Sequence, residues 1–387
     1  MNILFVTLFA LETNTSVTKS NYGVIKGLVD LGHNITLLEP EIDQGLSYYD
    51  NSFELNGITI ERIKNENIGQ QIATYSSQAT GINKKILSVA RTIYGKCRIF
   101  DRTKALLSEA KNFSGFDKYY DIVISTSDPK TSHLFVKELI KCGLKYGKWI
   151  QHWGDPLAGD ISKNNIYPNF YVENIERRII ESADKVVYVS PFTLDAQKKR
   201  YSKEINKLSF VPLPCDECES NDVEHAWSEQ LNIVYLGDYS SHIRDIIPLY
   251  TACSKMDFVS LTIAGNTDVV LDKMNNIRVY PRVPQAKAKE LENQADVIVS
   301  IGNLSGNQIP GKLYYSASGN KHIIVAIDGD NKAEMKRYLD SFNRFICCEN
   351  TVESLTVALK TVKDMPESKY ETPKRLLPVN IAREIIS

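Results

Sequence analysis

Residues 297–327 read VIVSIGNLSGNQIPGKLYYSASGNKHIIVAI. Positions 297–301 and 323–327 are short, continuous apolar runs, the pattern of strands covered on both faces of a parallel sheet. Between them the chain passes Gly302, Gly306, Pro310 and Gly311 and turns helical near Lys312. Strand, loop, helix and strand make one βαβ unit. Its loop is not a P-loop, because the GxxxxGK[ST] spacing is absent. Lys312 and the first-turn N–H groups are nevertheless placed to meet an anion.

Working outward, the same alternation fills the 387 residues. Strands are expected at 3–8, 34–38, 121–126, 148–151, 185–189 and 208–211, then at 232–236, 260–264, 277–280, 297–301 and 323–327. Amphipathic stretches separate them; in 21–31, Val24, Ile25, Leu28 and Leu31 share one helical face. The polar segment 216–229 has no apolar periodicity and reads as a linker. The expected fold is therefore α/β, with two Rossmann-like, doubly wound domains: residues 1–215, residues 216–370, and an apolar segment 371–387 that packs back towards the first domain. Two such domains facing each other place a cleft at the carboxyl ends of their strands, where these sheets bind ligands.

Composition narrows the function. Lys plus Arg number 46 against 47 Asp plus Glu, for a net charge of -1, which argues against a nucleic-acid binder. No segment reaches the roughly 18 apolar residues of a spanning helix. The apolar start lacks a positive flank and a small-residue cleavage site, so it reads as a buried first strand, not a leader. Seven scattered cysteines suit a reducing compartment. Cys215 and Cys218 form a lone CxxC with no second pair at zinc spacing, so no metal or other cofactor is expected.

Four loops after strands carry candidate chemistry. The first runs through Thr13, Asn14, Thr15 and Ser16 to a helix beginning near Ser20, and suits either an anion or sugar site or an ordinary capped loop. The second, after 148–151, reads HWGDP. His152 and Asp155 fit a sugar-binding, proton-handling site, while a hydrogen-bonded His152 beside a core Trp153 fits equally. Ser127 and Asp128 end a strand on the same side. In the third, Gly237 is followed by Arg244 in the expected first turn of a helix. A cation there opposes the dipole unless an anion is bound; a solvated arginine is the other reading. The fourth is 302–320. No GxGxxG follows the first strand, which argues against a dehydrogenase.

The order of WIQHWGDP, ADKVVYVSPFT, IVYLGDYSSHIRDIIPL, LTIAGN and QIPGKLYYSASGN resembles the GT-B glycosyltransferases, particularly bacterial glycosyltransferase family 4, over nearly the whole chain. The resemblance implies an enzyme, a hexosyl- or related transferase, with a nucleotide-diphosphate-sugar donor in the second domain and a glycan or lipid-linked acceptor in the first. It implies Arg244 as the second of two diphosphate-clamping cations; the first falls on Asp238, and Lys312 restores the charge. The family's two donor-loop glutamates fall on Asn307 and Tyr315, with Gln308 and Gly311 beside them. Base recognition falls near Arg282 and Val283, the family's N-terminal glycine pair around Thr15 and Ser16, and His152 on the histidine that contacts the transferred sugar. Transfer with retention needs no side-chain nucleophile.

Residues 84–104 carry Lys84, Lys85, Arg91, Lys96, Arg98, Arg102 and Lys104 against Asp101, interleaved with apolar residues. Such a segment suits an anionic membrane surface or a solvated helix packed on its domain. The leading expectation is a cytoplasmic transferase, peripheral on the inner face of the cell membrane, in bacterial surface polysaccharide biosynthesis. Alternatives are a GT-B nucleotide-sugar epimerase and a non-catalytic glycan-binding subunit, the latter suggested by the missing glutamates.

Overall fold

The computed structural model describes residues 1–46, 49–50, 55–65, 97–160, 166–216, 230–365 and 370–387. Most of 84–104, all but Asp216 of the 216–229 segment, and Cys218 lie outside these residues. The chain divides into two compact units, Met1–Pro212 with Ala382–Ser387, and Leu213–Ile381.

The first unit is built on a parallel sheet ordered β3-β2-β1-β4-β5-β6-β7. Its strands are β1 (Asn2–Val6), β2 (Asn34–Pro40), β3 (Thr59–Ile63), β4 (Tyr119–Ser127), β5 (Lys145–Trp153), β6 (Lys185–Tyr188) and β7 (Leu208–Phe210). The central strands are apolar on both faces because helices cover both, and Ile3, Leu4, Phe5, Val123, Ile124, Trp149 and Ile150 are all buried. Each such side chain contributes roughly 1.5–3 kcal/mol when fully buried. The strand order reverses between β1 and β4, which pair at Ile3 with Ile122 and Phe5 with Ile124. That junction is the switch point where a crevice opens beyond the strand ends.

The second unit repeats the plan with β8 (Leu231–Leu236), β9 (Val259–Ala264), β10 (Ile277–Tyr280), β11 (Val297–Ile301), β12 (His322–Ile327) and β13 (Ile346–Glu349), ordered β10-β9-β8-β11-β12-β13. All pairs are parallel, and the switch point lies between β8 and β11, paired at Ile233 with Val297.

Residues Ala382–Ser387 belong to the first unit. Lys148 Nζ donates to the Ser387 carbonyl at 3.0 Å, and Lys185 Nζ to those of Glu384 and Ile385 at 3.1 and 3.0 Å. Two lysines at the C-terminal end of the helix Pro378–Ile386 complement its dipole and satisfy carbonyls that lack helical partners.

Several expectations need correction. The helix after β1 is Ser16–Asp30, starting four residues before Ser20, because Thr15 Oγ1 accepts from the Thr18 N–H and caps it. Strand β5 runs on to Trp153 through pairing with Thr126 and Ser127 on one side and Val187 and Tyr188 on the other. His152 is thus a strand residue. No helix among the described residues is long and apolar enough to cross a membrane. Of the basic segment, Arg102 opens a 3₁₀ stretch, Arg102–Asn112, capped by Asp101, and Lys104 lies over the Phe100 ring.

Candidate functional site

In the second unit, three loops meet at the carboxyl edge of β8, β9 and β11. The loops after β8 and β9 touch backbone to backbone: a Cβ on Gly265 would stand 2.0 Å from the Gly237 carbonyl oxygen. The Asn266 N–H donates to Asp238 Oδ1 at 2.8 Å. The loop after β11 joins through Leu304 N–H to the Ile243 carbonyl at 2.8 Å. Gly329, at φ +79°, lets the loop after β12 approach as well, since a Cβ there would stand 2.9 Å from the Asn303 carbonyl oxygen.

Arg244 stands where these loops converge. Its Nε donates to Asn303 Oδ1 at 2.9 Å and its Nη1 to the Asp238 carbonyl at 3.2 Å. Asn303 is itself fixed, because its Nδ2 donates to the Gln308 carbonyl at 3.2 Å. Both groups that orient the guanidinium are neutral, so neither cancels its charge. The helix begins only at Ile247, so Arg244 is a loop residue. The expected dipole penalty is absent, and hydrogen bonding accounts for its position.

The other candidates lie on the segments that follow β10 and β11. Arg282 faces Asp238, with Nη1 3.6 Å from Oδ2, so a cation lies beside the position where the acid replaces one. Val283, next to it, is half-buried. Lys312 begins a helix of four residues, Lys312–Tyr315, and is paired with Glu292 at 3.4 Å. Asn307 Oδ1 accepts from Asn331 Nδ2 at 3.2 Å. Gln308 Oε1 is buried with no partner among the described residues. Gly311 is half-buried, and Tyr315 is buried against it; burial and the nearby Asp216 raise its pKa.

The first unit collects a different set at the edge of β1, β4 and β5. His152 is buried, and desolvation lowers its pKa from 6.5 to about 4, so it is neutral at physiological pH. Its Nε2 has no partner among the described residues. His133, on the helix Thr131–Lys141, stacks on Trp153 with ring centroids 4.4 Å apart, and its Nδ1 lies 2.8 Å from Ser125 Oγ. Trp149 Nε1 donates to that same oxygen at 2.9 Å. Burial first, then the charges of His152 and Lys130, hold the His133 pKa well below 6.5.

Lys130, between β4 and this helix, is fully buried, with its ammonium 2.7 Å from Asp128 Oδ1 and 2.9 Å from Asp160 Oδ2. Burial pulls its pKa down, and the carboxylates of Asp128, Asp160 and Asp155 outweigh that, so it ends above the usual lysine range and stays charged. The loop 154–160 is held from below by Glu176, which accepts from the N–H groups of Leu157 and Ala158 at 2.7 and 3.1 Å. Asp155, on this loop, is half-buried. Thr15 caps the first helix and Ser16, exposed, opens it; Leu8 N–H donates to Ser132 Oγ at 3.1 Å, joining the loop after β1 to the Lys130 helix. Glu39, at the end of β2, accepts from Leu11 N–H at 2.7 Å; burial raises its pKa to about 7 against the pull of Arg62, 3.0 Å away.

Compared by sequence, the chain matches no family model and no curated protein. Compared by structure, it resembles solved glycosyltransferases along its full length. Sucrose-phosphate synthase from Thermosynechococcus elongatus matches 100% of this chain and 94% of its own at TM-score 0.58 and 11% identity. The lipopolysaccharide outer core galactosyltransferase WaaB matches 100% and 98% at 0.56 and 12%. Anabaena HepE in complex with UDP-glucose matches 100% and 94% at 0.53 and 10%.

The fold is GT-B. The carboxyl edges of both GT-B sheets carry the polar residues described above. Sequence reasoning singled out Arg244, Arg282, Asn307, His152 and Asp155. It missed Lys130, Asp160, His133 and Asn303. The first three sit in or beside polar runs that resemble solvated loops, and burial, which no local pattern betrays, is what makes them notable. Asn303 gave one signal, an amide immediately after Gly302 at a strand end. Among the described residues no three His, Cys, Asp or Glu side chains stand together as a metal site.

Proposed function

We propose that this chain is a glycosyltransferase that moves a sugar from a nucleotide-diphosphate sugar to a glycan or lipid-linked acceptor. The observation that carries this reading is Arg244, a guanidinium fixed by neutral partners at the switch point of a GT-B sheet. A departing diphosphate gains negative charge as the glycosidic bond breaks, and a preoriented cation stabilises that change more than it stabilises the bound donor. Arg282, beside Asp238, and Lys312, beside Glu292, are further cations on the segments after β10 and β11. The GT-B neighbour HepE, crystallised with UDP-glucose, supports a nucleotide-sugar donor for the second unit.

The first unit takes the acceptor in this reading. His152, neutral, contributes a hydrogen bond to a sugar hydroxyl, with Asp155 near it, and Thr15 and Ser16 line the loop after β1. Membership of glycosyltransferase family 4, retention of anomeric configuration, a role in bacterial surface polysaccharide and a peripheral position on the inner membrane face through residues 84–104 complete the proposal. The test is thermal unfolding with a panel of nucleotide sugars headed by UDP-glucose. A donor at 100 times its Kd stabilises the native state by about 2.7 kcal/mol. A shift with one donor, followed by its acceptor-dependent breakdown, supports transfer. Breakdown that needs no acceptor indicates an epimerase, and no shift with any donor removes the enzymatic reading.

A further inference from the structure

At the first unit's switch point, one buried ammonium organises carboxylates drawn from two different loops. Lys130 Nζ bonds Asp128, on the strand end of β4, and Asp160, on the loop beyond β5. Asp160 has a side chain only 1% exposed, whereas that of Asp128 is 34% exposed. Asp160 is therefore the buried anchor and Asp128 the member presented to solvent.

Three observations make this more than a packed ion pair. An ionised carboxylate accepts about four hydrogen bonds, and on Asp128 the lysine bond occupies Oδ1. The charge of Asp155 also acts on Lys130, so this one cation faces three acids. Finally, β4 and β5 pair Thr126 with His152, which puts a buried imidazole, its Nε2 without a partner among the described residues, on the neighbouring strand end, two residues before the level of Asp128. Acceptors fixed on a rigid sheet beside an imidazole suit a ligand rich in hydroxyl groups, and repel one whose nearest group is a phosphate or carboxylate.

We propose that Lys130 is a positioning residue that presents Asp128 as the carboxylate receiving hydroxyl groups of a neutral saccharide acceptor. The proposal rests on the glycosyltransfer reading and deepens its acceptor side.

The experiment uses the full chain and saturation-transfer NMR, with methyl α-D-glucopyranoside as the neutral probe, glucose 6-phosphate as the anionic one and UDP as a separate control. The wild type is expected to bind the glucoside at least tenfold more tightly than the phosphate. Asp128→Asn is expected to lose at least tenfold in glucoside affinity with UDP binding kept, Lys130→Met to lose as much, and Lys130→Arg to recover most of it. Should Lys130→Met fail to fold, Asp128→Asn and Lys130→Arg carry the test. Glucoside binding by Asp128→Asn equal to the wild type overturns the proposal, as does a wild type that binds UDP and no glucoside, or that prefers the phosphate. A wild type that binds neither UDP nor any nucleotide sugar defeats the glycosyltransfer reading instead.

Discussion

At the carboxyl edge of the first sheet Lys130, Asp160, His133, His152 and Glu39 are titratable and buried. At the corresponding edge of the second sheet the amides Asn303, Asn307 and Asn331 stand near glycine turns, and the charged Asp238, Arg244, Arg282 and Lys312 remain partly in water. The same doubly wound plan thus supports two kinds of binding edge. A buried ion is held by desolvation as well as by its partner, since separation leaves an unpaired charge in low dielectric. A hydrated cation exchanges its water for a polyanion at small cost, which suits the diphosphate of the proposed donor.

Removing one ion from each edge separates the two designs most strongly. Lys130→Met strands the buried Asp160 and is expected to destabilise the fold by about 3–5 kcal/mol in urea unfolding. Arg244→Ala, at a partly solvated loop, should stay within roughly 0.5 kcal/mol of the wild type. A Lys130 variant that loses less than Arg244→Ala would erase the contrast.

Activity should invert that ranking. Arg244→Ala is expected to lower kcat/KM for transfer about a hundredfold, or about 3 kcal/mol of transition-state stabilisation, in an intact protein. Steady-state assays with the donor found in the unfolding screen measure it directly, and full activity would end the assignment.

Protonation offers a third probe, specific to the first unit. An unfolded His152 takes up a proton below pH 6.5, whereas the folded imidazole stays neutral to about pH 4. Its contribution is complete above the unfolded value and falls as pH descends, by about 2 kcal/mol at pH 5. Glu39 works in the other direction: the unfolded carboxyl ionises from 4.5 upward, the folded one only near 7, so it favours the native state at low pH. The wild type and His152→Gln should therefore be compared at pH 7 and pH 5, and the variant should lose less stability on acidification. Equal losses would mean that His152 is not held neutral by burial.

The smallest effect is expected at Lys312. Its pair with Glu292 is partly exposed, and such pairs contribute little to stability. Lys312→Ala should leave the melting temperature unchanged and weaken donor binding three- to tenfold, read by calorimetric titration. A hundredfold loss would place Lys312 beside Arg244 in importance.

Most of the scaffold was legible because buried parallel strands are nearly all apolar. Strands at 277–280 and 297–301 match β10 and β11 residue for residue, and β8, β9 and β12 each start one residue earlier than expected. The edge strands β3 and β13 were missed. TIERI exposes most of its residues and ICCE none fully buries, so neither shows a continuous apolar run. In the candidate site, Gly237 and Arg244 were visible because they stand in a loop after a strand, where these sheets bind ligands. Lys130 was not, because DPKTS reads as a solvated turn until Asp160, 30 residues on, folds over it. The placement of Arg244 in a helix failed for a related reason: Ile246 and Ile247 suggested helical periodicity, while the backbone was taken by the Ser240 and Ile243 turn.

The return of Ala382–Ser387 to the first unit sets an order of assembly on the ribosome. Every residue of Leu213–Ile381 has been synthesised before the carbonyls that Lys148 and Lys185 hold exist. Domains generally fold as they emerge, from the N-terminus onward. Here the unit that is begun first is completed only after the second has been synthesised, and its two lysines wait until then for the acceptors that residues 382–387 bring.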